Sequence, residues 1–206
     1  MFRKSVLFCI AVLTLSVSHA APKLTIRDYF LLLPETAMPD GIKSGADRKA
    51  LLTGKSTQGD LRLVADDPAN GYLSAGFEGR MQQGLFEFAI WRSARGEDII
   101  GVNTLYTGIG FTEGYLHFYA LRGEDWKDVT QDVFAEFRVA TFKPKPNTTK
   151  KCQGGETPGF PHGFHCKLPR KGLTITCKYE IICDVPVDFT ASDIYAKPVV
   201  NFHWQN

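Results

Sequence analysis

Between Leu61 and Asp125 the sequence is a succession of short β-forming runs separated by turn sequences, and that punctuation sets the fold class. Leu61, Leu63 and Ala65 alternate with Arg62, Val64 and Asp66. Asp67-Pro68-Ala69-Asn70-Gly71 then supplies a turn, Asn-Gly being the strongest local hairpin signal. Tyr72–Phe77, Leu85–Arg92, Ile99–Tyr106 and Tyr115–Leu121 follow as aromatic and β-branched runs. Arg-Gly-Glu-Asp occurs at 95–98 and again at 122–125, each time after an aromatic-rich run, and reads as two independent tight turns. Connections this short join antiparallel neighbours, so the region predicts an antiparallel meander of about five strands.

The flanks are of other kinds. Thr25-Ile26-Arg27-Asp28 has the form of a capping box, a hydroxyl for the first free amides and a carboxylate three residues on. Tyr29, Phe30 and Leu31–Leu33 give the helix an apolar face, and Pro34 stops it after about two turns. Such a helix belongs against the sheet. One further helical turn is expected at Asp47–Leu52, and Val129–Phe137 fits a short helix capped by Thr130 or another strand. The predicted class is α+β: an antiparallel meander, a short N-terminal helix and a disulfide-linked C-terminal extension. We read residues 21–206 as a single domain, the helix and meander over 21–142 and the cysteine-bearing part over 143–206.

Lys143–Gly172 is rich in proline, glycine and lysine and needs cross-links to order it. Leu173, Ile175, Cys177, Tyr179 and Ile181 then alternate with Thr174, Thr176, Lys178 and Glu180, the cleanest strand pattern in the chain. A last apolar stretch, Val199–Trp204, suits a sheet edge. Cys152, Cys166, Cys177 and Cys183 allow three pairings. On one strand, Cys177 and Cys183 would lie roughly 20 Å apart at ~3.3 Å per residue, against the ~7 Å limit for a disulfide. A turn at Lys171-Gly172 instead sets Cys166 opposite Cys177, leaving Cys152 for Cys183.

Met1–Ala20 reads as a secretory signal peptide: Arg3 and Lys4, an apolar run from Val6 to Val17, then small residues before Ala21. The run is too short to span a bilayer, and Cys9 lies inside it, where a lipoprotein cysteine would not. Its removal leaves 186 residues, 22 basic and 22 acidic groups and four cysteines. Export, an even cysteine count and 44% hydrophobic residues exclude a cytosolic enzyme, a membrane-spanning protein and a disordered chain. A periplasmic or secreted bacterial protein is expected. The neutral total conceals a split, −5 over residues 21–136 and +5 over 137–206, yet no basic stripe of the kind a nucleic-acid binder carries.

Chemistry-bearing motifs are few. Cys152, His162, His165 and Cys166 have metal-ligand residue types, but an oxidising compartment consumes the thiols and the spacing matches no known zinc finger. No metal or other cofactor is expected. Asp66, Asp67, Asn70 and Gly71 lack the order of a calcium loop and read as turn residues. No nucleophile elbow, phosphate loop or HExxH motif occurs. Glu87, set among aromatics, is expected to face solvent on the outer side of its strand.

Ile26-Arg27-Asp28-Tyr29-Phe30 with Leu32-Leu33-Pro34, Asn70-Gly71-Tyr72-Leu73, Phe86–Arg92 and Trp126-Lys127-Asp128-Val129-Thr130 together carry a resemblance. Over residues 24–136 the chain resembles a set of uncharacterised secreted bacterial proteins. The shared motifs are structural in character and imply no activity.

These features predict a non-enzymatic binding protein, inhibitor-like or immunity-like, that recognises an acidic protein or an anionic glycan. The candidate surface comprises Lys150, Lys151, His162, His165, Arg170 and Lys171, with Phe160 and Phe164 as apolar anchors. The competing reading is a secreted hydrolase with a site on the sheet face near Glu87 and His117. A third is a structural envelope protein.

Overall fold

The computed structural model describes residues 23–55, 60–92, 96–109, 111–133, 164–179 and 199–203, with the backbone alone for Phe111, Phe164 and Tyr179. The expected signal peptide lies outside these residues, as do Cys152 and Cys183.

Six consecutive strands form one antiparallel sheet in chain order: β1 (Arg62–Asp67), β2 (Tyr72–Glu78), β3 (Gln82–Arg92), β4 (Asp98–Gly108), β5 (Phe111–Arg122) and β6 (Asp125–Asp128). The meander therefore has one strand more than the periodicity predicts. Asp125–Asp128 is too short and too charged to display an alternation, and only its pairing with β5 defines it. The turn into β2 is built as expected. Asp67 accepts from the Asn70 backbone and side-chain amides, and Gly71 takes the left-handed conformation, φ 65°. Arg122 and Glu97, one from each Arg-Gly-Glu-Asp sequence, meet at one end of the sheet, Arg122 donating to Glu97 at 2.8 Å.

Strand pleating sorts the apolar residues onto two faces, and both are covered. On one face Leu73, Ala75, Phe86, Phe88, Ile100 and Val102 meet helix α1 (Ile26–Leu32) and helix α2 (Gly45–Leu52). Thr25 and Asp28 form the predicted capping box, and Phe30 packs edge-on against Phe88 with ring centroids 4.9 Å apart. Burying each of these large side chains contributes ~1.5–3 kcal/mol. Polar contacts fix the helix over the sheet. The Tyr29 hydroxyl and Arg92 both donate to Asp98, and the Trp126 indole donates to the Leu32 carbonyl.

The opposite face carries Tyr72, Ala89, Trp91, Phe118 and Ala120. It is covered by a second antiparallel sheet: β7 (Phe164–Lys167), β8 (Thr174–Tyr179) and β9 (Val199–His203). Cys166 stands opposite Cys177 in the β7–β8 register and is disulfide-bonded to it, as the turn at Lys171-Gly172 predicts. Cys166, Leu168, Ile175 and Cys177 are buried against the larger sheet. The described strands of the C-terminal extension are thus a layer of the core.

Val129 is buried, and residues Thr130–Val133 form a helical turn, α3. Its N-terminal amide at Thr130 is taken by Asp128, whereas the Thr130 hydroxyl accepts from the Phe118 amide of β5. The expected cap at Thr130 is therefore supplied two residues earlier. Val199–His203 lies at a sheet edge, as its sequence predicts.

Candidate functional site

The hairpin β7–β8 is held on the sheet by a carboxylate that the sequence pattern places in solvent. Glu87 is 1% exposed. Ser74, Glu87, Asn103 and Leu116 are successive cross-strand partners on the hairpin side of β2–β5, so the disulfide layer closes over Glu87. Glu87 does lie on the other side of β3 from Phe86 and Phe88, but that side is an interface and not solvent. One Glu87 oxygen accepts from the Tyr72 hydroxyl at 2.7 Å; the other accepts from Asn103 Nδ2 at 2.8 Å and the Leu168 amide at 3.0 Å. The second Asn103 amide contact, 2.7 Å to the Cys166 carbonyl, ties the same network to the cystine. A buried carboxylate is costly unless its lone pairs are met, and here three donors meet them. Burial, reinforced by the neighbouring Glu87 charge, pushes the Tyr72 phenol well above its ordinary range.

This group fastens layers and fronts no opening. A cavity of about 280 Å³ lies one row further along the same face, with Val64, Gly76, Leu85 and Leu105 in its wall and the Arg62–Glu78 ion pair at its rim. Neither Glu87 nor His117 lines it. His117 sits on the helix side of the sheet, opposite Val102, half-exposed and 3.5 Å from Asp128. Burial would raise the Asp128 carboxyl, but bonds from Thr130 and His117 outweigh it and hold it below its ordinary range. Glu87 and His117, paired in the hydrolase reading, are therefore on opposite faces. Among the described residues no group of His, Cys, Asp and Glu is placed to hold a metal ion.

The exposed chemistry of the second sheet lies on its outer side. Cys166, Ile175 and Cys177 turn inward, so the intervening residues turn outward. His165 stands opposite Lys178, which stands opposite Val199; Lys167, Thr176 and Asn201 form the next row, and Thr174 with His203 the last. Lys167, Lys178 and His203 are exposed and His165 is half-buried. Thr176 donates to Asn201 at 2.9 Å, and Thr174 is bonded to His203 at 3.1 Å. Residues 164–179 contain Lys167, Arg170, Lys171 and Lys178 and no carboxylate.

Of the surface expected from sequence, His165 lies on this outer face and Lys171 is exposed in the β7–β8 turn. Arg170 reaches instead to Asp67, 2.8 Å away, where it anchors the hairpin to β1. Phe164 opens β7. Lys150, Lys151, Phe160 and His162 lie outside the described residues. Lys167 and Lys178 also lie exposed on this outer face and are not among the residues expected from sequence. Their signal was present: with Cys166 and Cys177 cross-linked inward, the residue after each cysteine must turn outward.

No protein-family model matches the chain, and no curated protein matches it. A similar solved structure is that of a domain of an uncharacterized protein from Porphyromonas gingivalis W83. The two align with a TM-score of 0.50 and 15% identity, over 85% of this chain and 93% of the other. That likeness concerns the fold alone. No helix among the described residues is long and apolar enough to cross a membrane.

Proposed function

We propose that the chain is an exported, non-enzymatic binding protein, inhibitor-like or immunity-like in build, that presents the outer side of its cystine-linked sheet to an acidic partner. The observation that carries this reading is the sign of that surface. Its described charged residues are Lys167 and Lys178, continued by Lys171 at the turn, with no carboxylate among them. Rigid backing supports it as well, because Glu87, the disulfide and the Arg170–Asp67 pair hold the sheet from behind. A binder on a preorganised scaffold loses little entropy on association. Met1–Ala20 supplies the sequence basis for export, and a buried cystine fits an oxidising compartment.

The test is titration of the full mature chain with two polyanions, poly-glutamate and heparin, at low and physiological salt. Binding should weaken with salt, since exposed charges are screened beyond ~8–10 Å. The K167E/K171E/K178E variant should lose it while keeping the melting temperature. If neither polyanion binds the unsubstituted protein, the reading is wrong.

A further inference from the structure

We infer that the partner of this face is a linear anionic polysaccharide, bearing sulfate or uronate groups, laid across the rows that contain Lys167, Thr176 and Asn201 and Lys178 and His165. The inference rests on the preceding reading that the face takes an anion, and it selects among anions by the chemistry between the charges.

Protein interfaces draw their energy from a desolvated centre of aromatic and arginine anchors ringed by polar groups. The described outer positions are built differently. Thr174, Thr176, Asn201 and His203 occupy the ground around the lysines, Val199 is the one apolar residue among the described outer positions, and none of these is Phe, Tyr or Trp. Single-stranded nucleic acid is disfavoured on the same ground, because its bases stack best on the broad rings of Phe, Tyr and Trp. What remains suits a sugar polymer. The threonine hydroxyls, the Asn201 amide and the exposed His203 imidazole can exchange hydrogen bonds with ring hydroxyls, which both donate and accept. Because Thr176 donates to the Asn201 carbonyl oxygen, the amide NH2 is left as the other branch, a donor held by its neighbour.

The placement of charge points the same way. Lys167 faces Thr176 and Lys178 faces His165, so the two lysines are diagonal across the β7–β8 pair, with Cα positions about 7–8 Å apart. Lysine acts as a hydrated point charge, where arginine forms a planar fork. Two separate points with hydrogen-bonding groups between them match a ligand whose charges recur along its length.

The experiment compares four probes on the full mature chain: heparin, polygalacturonate, poly-glutamate and a thymidine oligonucleotide. The expected result is tighter binding of heparin or polygalacturonate than of the other two. K167E/K178E should weaken glycan binding by about tenfold or more. T176A/N201A, which changes no charge, should weaken it about threefold or more, through lost hydrogen bonds alone. Unaltered melting temperatures keep either loss from being unfolding. Poly-glutamate binding as tightly as the glycans, with T176A/N201A silent, would overturn the glycan assignment and leave the acidic-partner reading standing. The oligonucleotide binding most tightly, or glycan binding that survives K167E/K178E, would also overturn it. No binding of any probe would remove both.

Discussion

Asp66 and Asp67 are adjacent in β1, and their carboxylates hold opposite layers of the protein. Asp66 stands opposite Leu73 on the helix side and takes Arg27 of α1; Asp67 stands opposite Tyr72 on the hairpin side and takes Arg170. Strand alternation makes this arrangement available to any two consecutive residues. Its effect is that an edge strand pairing with β2 alone is pinned from above and below.

The Asp67 side of this pin should be sensitive to acid. Arg170 and then Asn70 hold the Asp67 carboxyl below its ordinary value. A folded-state value below the unfolded one gives stability that is fully present above the ordinary carboxylate value of ~3.9 and lost as pH falls through the folded value. Asp28, held down by Thr25, and Asp128 act with the same sign. Urea midpoints should therefore fall as pH is lowered from about 5 to 2, and less steeply in D67N than in the parent. Equal slopes for the two proteins would show that the Arg170–Asp67 contact does not hold the hairpin.

Glu87 should matter far more than a solvent-facing strand residue would, because it is buried with three donors on its carboxylate. Replacing it with alanine leaves the Tyr72 hydroxyl, Asn103 amide and Leu168 amide without their acceptor, at a cost of ~3 kcal/mol or more. Glutamine restores the volume and one oxygen but turns an NH2 group toward donors. E87Q should thus lie between the parent and E87A in denaturant stability. Hydrogen exchange at the Leu168 amide should accelerate in both variants; a protected Leu168 amide in E87A would assign the docking of the hairpin to packing alone.

What was legible in the sequence follows from the range of the interactions involved. The capping box at Thr25, the Asn70-Gly71 turn and the opposition of Cys166 and Cys177 are decided within a few residues or one hairpin. Glu87 was misread because alternation reveals that a strand has two faces, and leaves open what covers the second. The cover comes from Cys166 and Leu168, some eighty residues downstream. The Arg170–Asp67 ion pair is hidden from the sequence for the same reason, the two lying 103 positions apart. For Lys167 and Lys178 the expected Cys166–Cys177 pairing leaves open which side of β7 and β8 faces the larger sheet; with the cystine buried inward, the outward residues follow.

Gly101 should not tolerate a side chain. Trp91 lies over it, and a Cβ at this position would stand 2.5 Å from the indole Cζ3, with Phe118 closing the other side at 3.3 Å. Both rings are buried, Trp91 tilted against Phe118 at 5.7 Å, so the contact cannot be relieved into solvent. G101A should cost ~1–3 kcal/mol as an overpacked site and change the Trp91 emission. A neutral G101A would mean that the hairpin layer yields, and hydrogen exchange in β7 would then rise.

Arg48 supplies the last test, because it stabilises α1 from another helix. It is 5% exposed and donates from Nη1 to the carbonyls of Phe30 and Leu33, at 2.9 and 2.5 Å. Pro34 ends the helix, so carbonyls of its last turn have no amide to accept from within it, and a buried cation is placed where the helix dipole is negative. Burial lowers the guanidinium pKa, an effect that the charge of Glu35 opposes. Lysine keeps the charge but has one nitrogen, where the guanidinium uses Nη1 for Phe30 and Leu33 and turns Nε and Nη2 to the Ser44 and Lys43 carbonyls. R48A should therefore destabilise by ~2–4 kcal/mol, through buried carbonyls left unmet and lost packing, and R48K by less. Amide exchange at Leu33, whose N–H bonds the Tyr29 carbonyl in that last turn, should quicken in R48A ahead of the sheet. Simultaneous loss of protection in helix and sheet would show instead that α1 and the meander unfold as one unit.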